Sequence, residues 1–336
     1  MRSFLVGGRS GLLLLASAAL LLCASCAAAP PPEVPAASSG TGAFPVTIPH
    51  EYGSTTLTER PKRIVTVGLT DQDAVLALGV VPVATREWLT PGYPGGIGPW
   101  AADRLGGAPP PVVLEGGEDI PFERIAAQQP DLILALYSGL SEGEYRLLSG
   151  LAPTIAQPAR HPDHGIPWQE LTRTTGAALG EPAEADRLVA EVENRIAEVR
   201  RDHPEFTRAT GVLATTYDGY FVYGRQDPRS RVLAELGFTL PAELDGVVGD
   251  QFGANLSRER ADLLNTDALV WFVPDGGAAL RADPVYTRLP VSREGRALVI
   301  DESGDYGNAF SFVSVLSIPY LLDRLVPDLA RALDAR

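Results

Sequence analysis

The sequence predicts an α/β protein of two similar lobes, each built on a parallel sheet, joined by one long helix. Three observations predict it. First, residues 123–134 read Glu-Arg-Ile-Ala-Ala-Gln-Gln-Pro-Asp-Leu-Ile-Leu, and residues 259–270 read Glu-Arg-Ala-Asp-Leu-Leu-Asn-Thr-Asp-Ala-Leu-Val. In each, a Glu-Arg pair opens a short helical pattern, and an aspartate eight positions after the glutamate starts an apolar strand run. The phrases lie about one domain length apart in a chain of 336 residues, which has room for two ordinary domains. Second, strand and helix patterns alternate around both phrases, as in sheets with helical crossovers. Third, over residues 182–201, Leu188, Val189, Val192, Ile196 and Val199 recur on one helical face, and acidic and arginine residues cover the other.

The N-terminus reads as a processing signal. Arg2 and Arg9 precede or flank the start of an apolar run, residues 12–22, of signal-peptide length and too short to span a bilayer well. The run ends in Cys23-Ala24-Ser25-Cys26. Small residues at the two positions before a cysteine resemble a lipobox, in which that cysteine is lipidated and becomes the first mature residue. Cys26 fits better than Cys23, because Leu22 directly before Cys23 is too large. Cys23 at the position usually held by leucine is a mild departure. An ordinary signal peptide cleaved nearby is the alternative, and either way the protein is expected to leave the cytoplasm. With Cys26 lipidated, no disulfide forms in the folded part. Residues 27–45 are rich in Ala, Pro, Ser and Gly without apolar periodicity, which reads as a flexible tether.

The first lobe is expected to begin near Phe44. Arg63-Ile64-Val65-Thr66-Val67-Gly68 reads as a strand, and Asp71 as the N-cap of a helix that Gly79 closes. Residues 80–84 and 112–114 read as further strands, separated by a Gly- and Pro-rich loop with Trp88, Tyr93 and Trp100. The Glu123 helix and a strand over residues 131–136 follow. Ligands of parallel sheets sit at the carboxyl ends of the strands. Arg86 with Trp88, and Tyr137, fall at two such ends.

Pro182 suits the first turn of the long helix. At about 20 residues that helix spans roughly 30 Å, enough to cross between lobes. The second lobe restarts with a strand over residues 211–216. Tyr217, Tyr220, Phe221, Tyr223 and Arg225 follow in a loop or hairpin. A helix over residues 232–236 ends at Gly237. The Glu259 helix leads to a strand over residues 268–273, and residues 298–300 form another. Residues 316–329 read as a closing amphipathic helix interrupted near Pro319 and Pro327.

The hydrophobic fraction of 45% and charged fraction of 21% are those of a globular protein. The formal net charge of −14 becomes more negative once Arg2 and Arg9 are removed with the leader, which argues against a nucleic-acid partner. Lys62 is the sole lysine, consistent with a GC-rich coding bias. No catalytic motif stands out. Gly106-Gly107 and Gly116-Gly117 follow no dinucleotide fingerprint, and no Gly-x-Ser-x-Gly or His-Glu-x-x-His is present. Of the four histidines, His161 and His164 could share a metal, but no third ligand lies nearby in sequence. The chain is therefore not expected to be an enzyme, and no metal site is expected.

These residues carry a family resemblance. Lys62-Arg63-Ile64-Val65-Thr66-Val67-Gly68, then Asp71-Gln72-Asp73-Ala74-Val75-Leu76-Ala77-Leu78-Gly79-Val80-Val81-Pro82-Val83, resembles the opening of iron-siderophore ABC-transporter substrate-binding lipoproteins. These belong to the ferric-siderophore and cobalamin type of periplasmic binding proteins. Phe122-Glu123-Arg124-Ile125 leading to Pro130-Asp131-Leu132-Ile133 fits the same group. So do Tyr137-Ser138-Gly139-Leu140, Leu151-Ala152-Pro153-Thr154 and Pro167-Trp168-Gln169-Glu170. The resemblance covers most of the chain after residue 44.

It implies two Rossmann-like lobes joined by a single long helix, with the ligand cleft between them. The expected bounds are 1–26 for the lipoprotein signal and lipidated cysteine, 27–45 for the tether, 46–168 for the N-terminal lobe, 169–204 for the linking region and 205–336 for the C-terminal lobe. It implies a ferric siderophore as transported ligand, with no cofactor, delivered to an ABC permease dimer and its ATPase. The place is the outer face of the cytoplasmic membrane, reached through the lipid anchor alone. Glu123 and Glu259 match the family's permease-docking glutamates. The chelator fills the iron's coordination sphere, so the cleft needs arginines and aromatic rings rather than metal ligands. The candidates are Arg86, Trp88, Tyr137, Trp168, Tyr217, Tyr220, Tyr223 and Arg225. The alternatives are a haem, cobalamin or metal-ion binder of the same fold, or a ligand sensor.

Overall fold

The computed structural model describes residues 43–88, 92–115, 117, 119–216 and 219–335. The leader, Cys26, all but the last residues of the expected tether, and Tyr217 lie outside them.

The folded part opens with an antiparallel ribbon of β1 (Val46–His50) and β2 (Gly53–Leu57). The first sheet holds β3 (Ile64–Thr66), β4 (Ala84–Arg86), β5 (Val112–Leu114), β6 (Leu132–Ala135) and β7 (Thr154–Ala156), in the order β5-β4-β3-β6-β7. Its pairs are all parallel. Parallel neighbours need crossovers. Helices α1 (Asp71–Ala77), α2 (Phe122–Ala127) and α3 (Glu142–Ser149) supply three of them. Two helices then leave the lobe, α4 (Trp168–Leu179) and the 21-residue α5 (Pro182–Asp202), which carries the predicted apolar stripe inward.

The second sheet holds β8 (Gly211–Thr215), β9 (Tyr220–Tyr223), β10 (Gly253–Leu256), β11 (Ala268–Val273) and β12 (Ala297–Asp301), in the order β10-β9-β8-β11-β12. Strands β8, β11 and β12 are parallel, but β9 pairs antiparallel with both neighbours. The sheet is therefore mixed, where the sequence reading expected it parallel. Only residues 216–219 separate β8 from β9. That is enough for a hairpin and far too few for a parallel crossover. The remaining helices are α6 (Pro228–Leu236), α7 (Ala242–Val248), α8 (Ala278–Ala282), α9 (Pro290–Arg293), α10 (Asp305–Phe312) and α11 (Ser317–Asp334).

Three local expectations change. Asp71 is the first residue of α1, not its N-cap, which is Thr70. The strand expected over residues 80–84 is β4, displaced toward Arg86. Pro82 has no N–H to give a ladder, and pairing starts where Val83 N donates to Ile64 O at 2.8 Å. The closing helix α11 runs unbroken through Pro327. Pro319 falls in its first turn, where no N–H is needed, and buried Leu321, Leu322, Leu325, Leu329 and Leu333 hold the helix on the core.

One buried cluster spans both sheets. It includes Ile64 and Leu134 from the first, Val270 and Phe272 from the second, and Leu188, Val192, Leu321 and Leu325 from α5 and α11. Smaller clusters include Val65, Ile133 and Ile125 in the first lobe, and Leu269, Trp271 and Leu244 in the second.

Candidate ligand-binding cleft

The first sheet delivers three segments to the carboxyl ends of its strands. These are Leu69 after β3, Arg86 to Trp88 at the end of β4, and Tyr137 after β6. From the second lobe come Phe272 near the end of β11, Glu302 just beyond β12, and Ser311 on α10, joined by Tyr223 and Arg229. A cavity of about 450 Å³ lies between the two sets. A second, about 630 Å³, continues along the first lobe past Arg86, Glu87, Ile120 and Glu144. The two share Leu69, Trp88 and His164, so they form one cleft. Volumes of this order suit a small-molecule ligand.

Aromatic rings wall the cleft. Trp88 stands 6.0 Å from Tyr137 and 5.3 Å from Phe312, centroid to centroid. The edge of His164 meets Tyr137 at 5.4 Å. Burial lowers the His164 pKa, so the ring is neutral at neutral pH. Burial, with the Asp227 carboxylate, pushes the Tyr137 phenol up. Both rings are thus uncharged at neutral pH.

Arg229 is the main charged feature on the second-lobe side. Its guanidinium lies 4.1 Å from the Tyr223 ring centre and 5.1 Å from that of Phe272. Asp227 holds it, with Nη2 to Oδ2 at 2.6 Å and Nε to Oδ1 at 3.1 Å. Asp227 is fully buried and the Arg229 side chain 14% exposed. Burial opposes the arginine's charge, but the Asp227 carboxylate outweighs it and the pKa is raised.

The structure sorts the predicted site residues. Arg86, Trp88, Tyr137 and Tyr223 line the cleft. Arg86 donates from Nη2 to Gly117 O at 3.1 Å. Tyr220 does not reach the cleft. It is fully buried, edge-on to Trp271 at 5.1 Å, and its hydroxyl donates to Asp283 at 3.0 Å. Alternate strand residues point to opposite faces, so β9 sends Tyr220 into the outer core and Tyr223 to the cleft. Trp168 is also buried, at the start of α4, with Nε1 donating to Glu235 Oε2 at 3.4 Å. Arg225 is exposed, paired with Asp245 through Nε at 2.7 Å, beside a different cavity. Tyr217 lies outside the described residues.

Arg229, His164, Phe252, Phe272, Asp163 and Glu302 complete the lining and were not among the candidates. In sequence Arg229 follows a polar Gly-Arg-Gln-Asp-Pro turn, and nothing local ties it to a cleft. The usable signal was Asp227-Pro228, an N-cap followed by proline at the first helical position, which fixes Arg229 on a helix start. His161 does not join His164 around a metal. It pairs with Glu170 at 2.8 Å. Among the described residues no three His, Cys, Asp or Glu side chains converge on a metal-sized site.

Glu123 and Glu259 are both exposed. Glu123 sits in the first turn of α2 after β5, and Glu259 in that of a 3₁₀ segment, Arg258–Leu264, after β10. Strand β10 runs parallel to β8 through the intervening antiparallel β9. Both glutamates therefore stand on the carboxyl-end side of their sheets.

The periplasmic binding protein family matches residues 64–303. The chain belongs to that family. Among solved structures, a periplasmic solute binding protein from Mycobacterium smegmatis is 35% identical, with a TM-score of 0.76 over 86% of this chain and 98% of that one. Streptococcus pneumoniae PiaA, solved in complex with ferrichrome, is 25% identical with a TM-score of 0.73 over 86% and 99% of the two chains. The Escherichia coli protein FecB, named as Fe(3+) dicitrate-binding, is 28% identical over 210 residues, 61% of this chain and 65% of FecB. As a periplasmic binding protein, the chain is an extracytoplasmic solute-binding protein and not an enzyme. Its two α/β lobes, long joining helix and intervening cleft are the architecture that its sequence predicts.

Proposed function

We propose that this protein captures a ferric siderophore in the cleft between its lobes and delivers it to an ABC importer. The observation that carries the reading is the cleft itself: rings from both lobes converge with Arg86 and Arg229 on one space, and among the described residues no metal-ligand cluster joins them. Such a wall suits a metal whose coordination is already filled by a chelator. The relatives named for iron uptake, ferric citrate and ferrichrome support the same ligand class. In this reading the lobes are residues 46–168 and 205–336, linked through 169–204.

Glu123 and Glu259, one per lobe and on the same side of their sheets, are the docking points for the two halves of a permease dimer. Cys26 is the lipidated residue that tethers the protein to the outer face of the cytoplasmic membrane.

Trp88 makes the test direct. Titration with ferric hydroxamates, catecholates and citrate should quench intrinsic fluorescence, and Trp88→Phe should remove most of the quench. Binding of haem or cobalamin with no response to any ferric chelate would falsify the ligand reading. For docking, Glu123→Arg with Glu259→Arg should abolish uptake and leave ligand affinity intact; undiminished uptake overturns it. Cys26→Ala should release the protein from the membrane fraction.

A further inference from the structure

We infer that the cleft selects its ferric chelate by charge, taking electrically neutral or cationic hydroxamate complexes in preference to polyanionic catecholates. The inference rests on the siderophore reading and narrows it.

Each half of the cleft carries one arginine and two carboxylates. Arg86 lines the larger cavity together with Glu87 and Glu144, and Arg229 lines the other together with Asp163 and Glu302. The Arg229 charge is moreover committed. Fully buried Asp227 holds the guanidinium through two of its nitrogens, and two aromatic rings flank it. His164, which joins the two cavities, is neutral at neutral pH. The lining groups therefore sum to an excess of negative charge.

Iron(III) held by three singly charged hydroxamates is neutral, and a pendant ammonium makes the complex a cation. Three doubly charged catecholates leave the complex triply negative. A partly enclosed site raises the cost of like-charge contact relative to open water. A polyanion would meet that surplus without a free cluster of arginines to offset it. The aliphatic spacers of hydroxamates suit the apolar wall of Trp88, Tyr223, Phe252 and Phe272.

Four probes test this on the purified protein by fluorescence titration: ferrichrome (neutral), ferrioxamine B (cationic), ferric enterobactin (trianionic) and ferric dicitrate, an anion and the ligand in the name of the E. coli relative. At least one hydroxamate should bind more tightly than either anion by about tenfold or more at low salt, and added salt should narrow the gap. Neutralising the rim with Asp163→Asn and Glu302→Gln should also narrow it, chiefly by tightening the anions. Either anion binding as tightly as both hydroxamates overturns charge selection while leaving the siderophore reading intact. A gap indifferent to both salt and the double variant likewise overturns it. Failure of all four to bind removes the siderophore reading, and this inference with it.

Discussion

Asp227 serves two ends with one carboxylate. It caps α6 by accepting from Arg229 N at 2.8 Å and Ser230 N at 3.1 Å, and it neutralises the Arg229 guanidinium in the cleft wall. Breaking a buried pair by removing one partner costs about 3–5 kcal/mol, because the other charge stays buried. Asp227→Ala should therefore lower stability by that order in urea unfolding and weaken ligand binding. Arg225→Ala is the contrast. Its pair with Asp245 is solvent-exposed on the arginine side, so its loss should leave the urea-unfolding midpoint nearly unchanged. Tyr220→Phe, which loses one hydroxyl bond to Asp283, should cost about 1 kcal/mol and leave ligand affinity unchanged. A large loss of affinity in Tyr220→Phe would contradict the placement of that ring in the outer core. The same residues show how far the site was legible. Arg86, Trp88 and Tyr137 were readable because strand ends in a parallel sheet point to the ligand. Tyr220 and Tyr223 read in sequence as candidates alike, although strand parity separates them. Arg229 stayed hidden because its setting depends on Phe272, in a strand remote in sequence.

At the scale of the element, α1 carries an unusual load. Its first turn is acidic, as a helix N-terminus favours, yet Asp71 and Asp73 are both fully buried. Asp71 accepts from Leu136 N at 2.7 Å and Tyr137 N at 3.0 Å, which pins the helix to the end of β6. Asp73 Oδ2 accepts from Trp100 Nε1 at 2.7 Å and from Ser314 Oγ. Burial, against these hydrogen bonds, raises both carboxyls from 3.8 to about 6. A folded pKa above the unfolded one means that the native state binds more protons between the two values. The stability these groups allow is thus full below pH of about 4 and declines as pH rises to about 6, by roughly 3 kcal/mol for each at about 1.4 kcal/mol per pKa unit. Asp73→Asn isolates one of them. The amide oxygen can occupy the Oδ2 position and keep both donors, and no charge forms. Urea unfolding from pH 4 to 7 should show the variant gaining on the wild type through that window. A difference constant with pH would mean that Asp73 titrates alike in both states. The sequence reading saw an N-cap at Asp71, because short-range patterns cannot register donors supplied by Leu136 and Tyr137 just after β6.

For the whole molecule, the repeated Glu-Arg phrases made two lobes legible, but the lobes are less separate than the repeat implies. A shared core joins them alongside the long helix α5. The main buried cluster runs from the first sheet through α5 and α11 to the second. Polar contacts add to it at several points. Ser314 bonds Asp73 across 241 residues of chain. Tyr93 donates to Asp305 at 2.6 Å and accepts from Asn308 at 2.9 Å. Glu235 on α6 accepts from Gln169 on α4 at 3.0 Å. Contacts this distant in sequence leave no local pattern from which they could be read. Lobes tied by a linker alone would unfold in separate steps, whereas a shared core couples them. Urea unfolding should therefore be one cooperative transition, with coincident midpoints for far-UV circular dichroism and for tryptophan fluorescence. Variants retaining Trp88 and Trp100 on the first-lobe side, or Trp271 alone in the second sheet, should report equal midpoints once each variant is compared with its own circular dichroism. A second-sheet transition displaced from that of the first lobe would show that the lobes fold independently, and would restore a wide hinge motion as the mode of ligand capture.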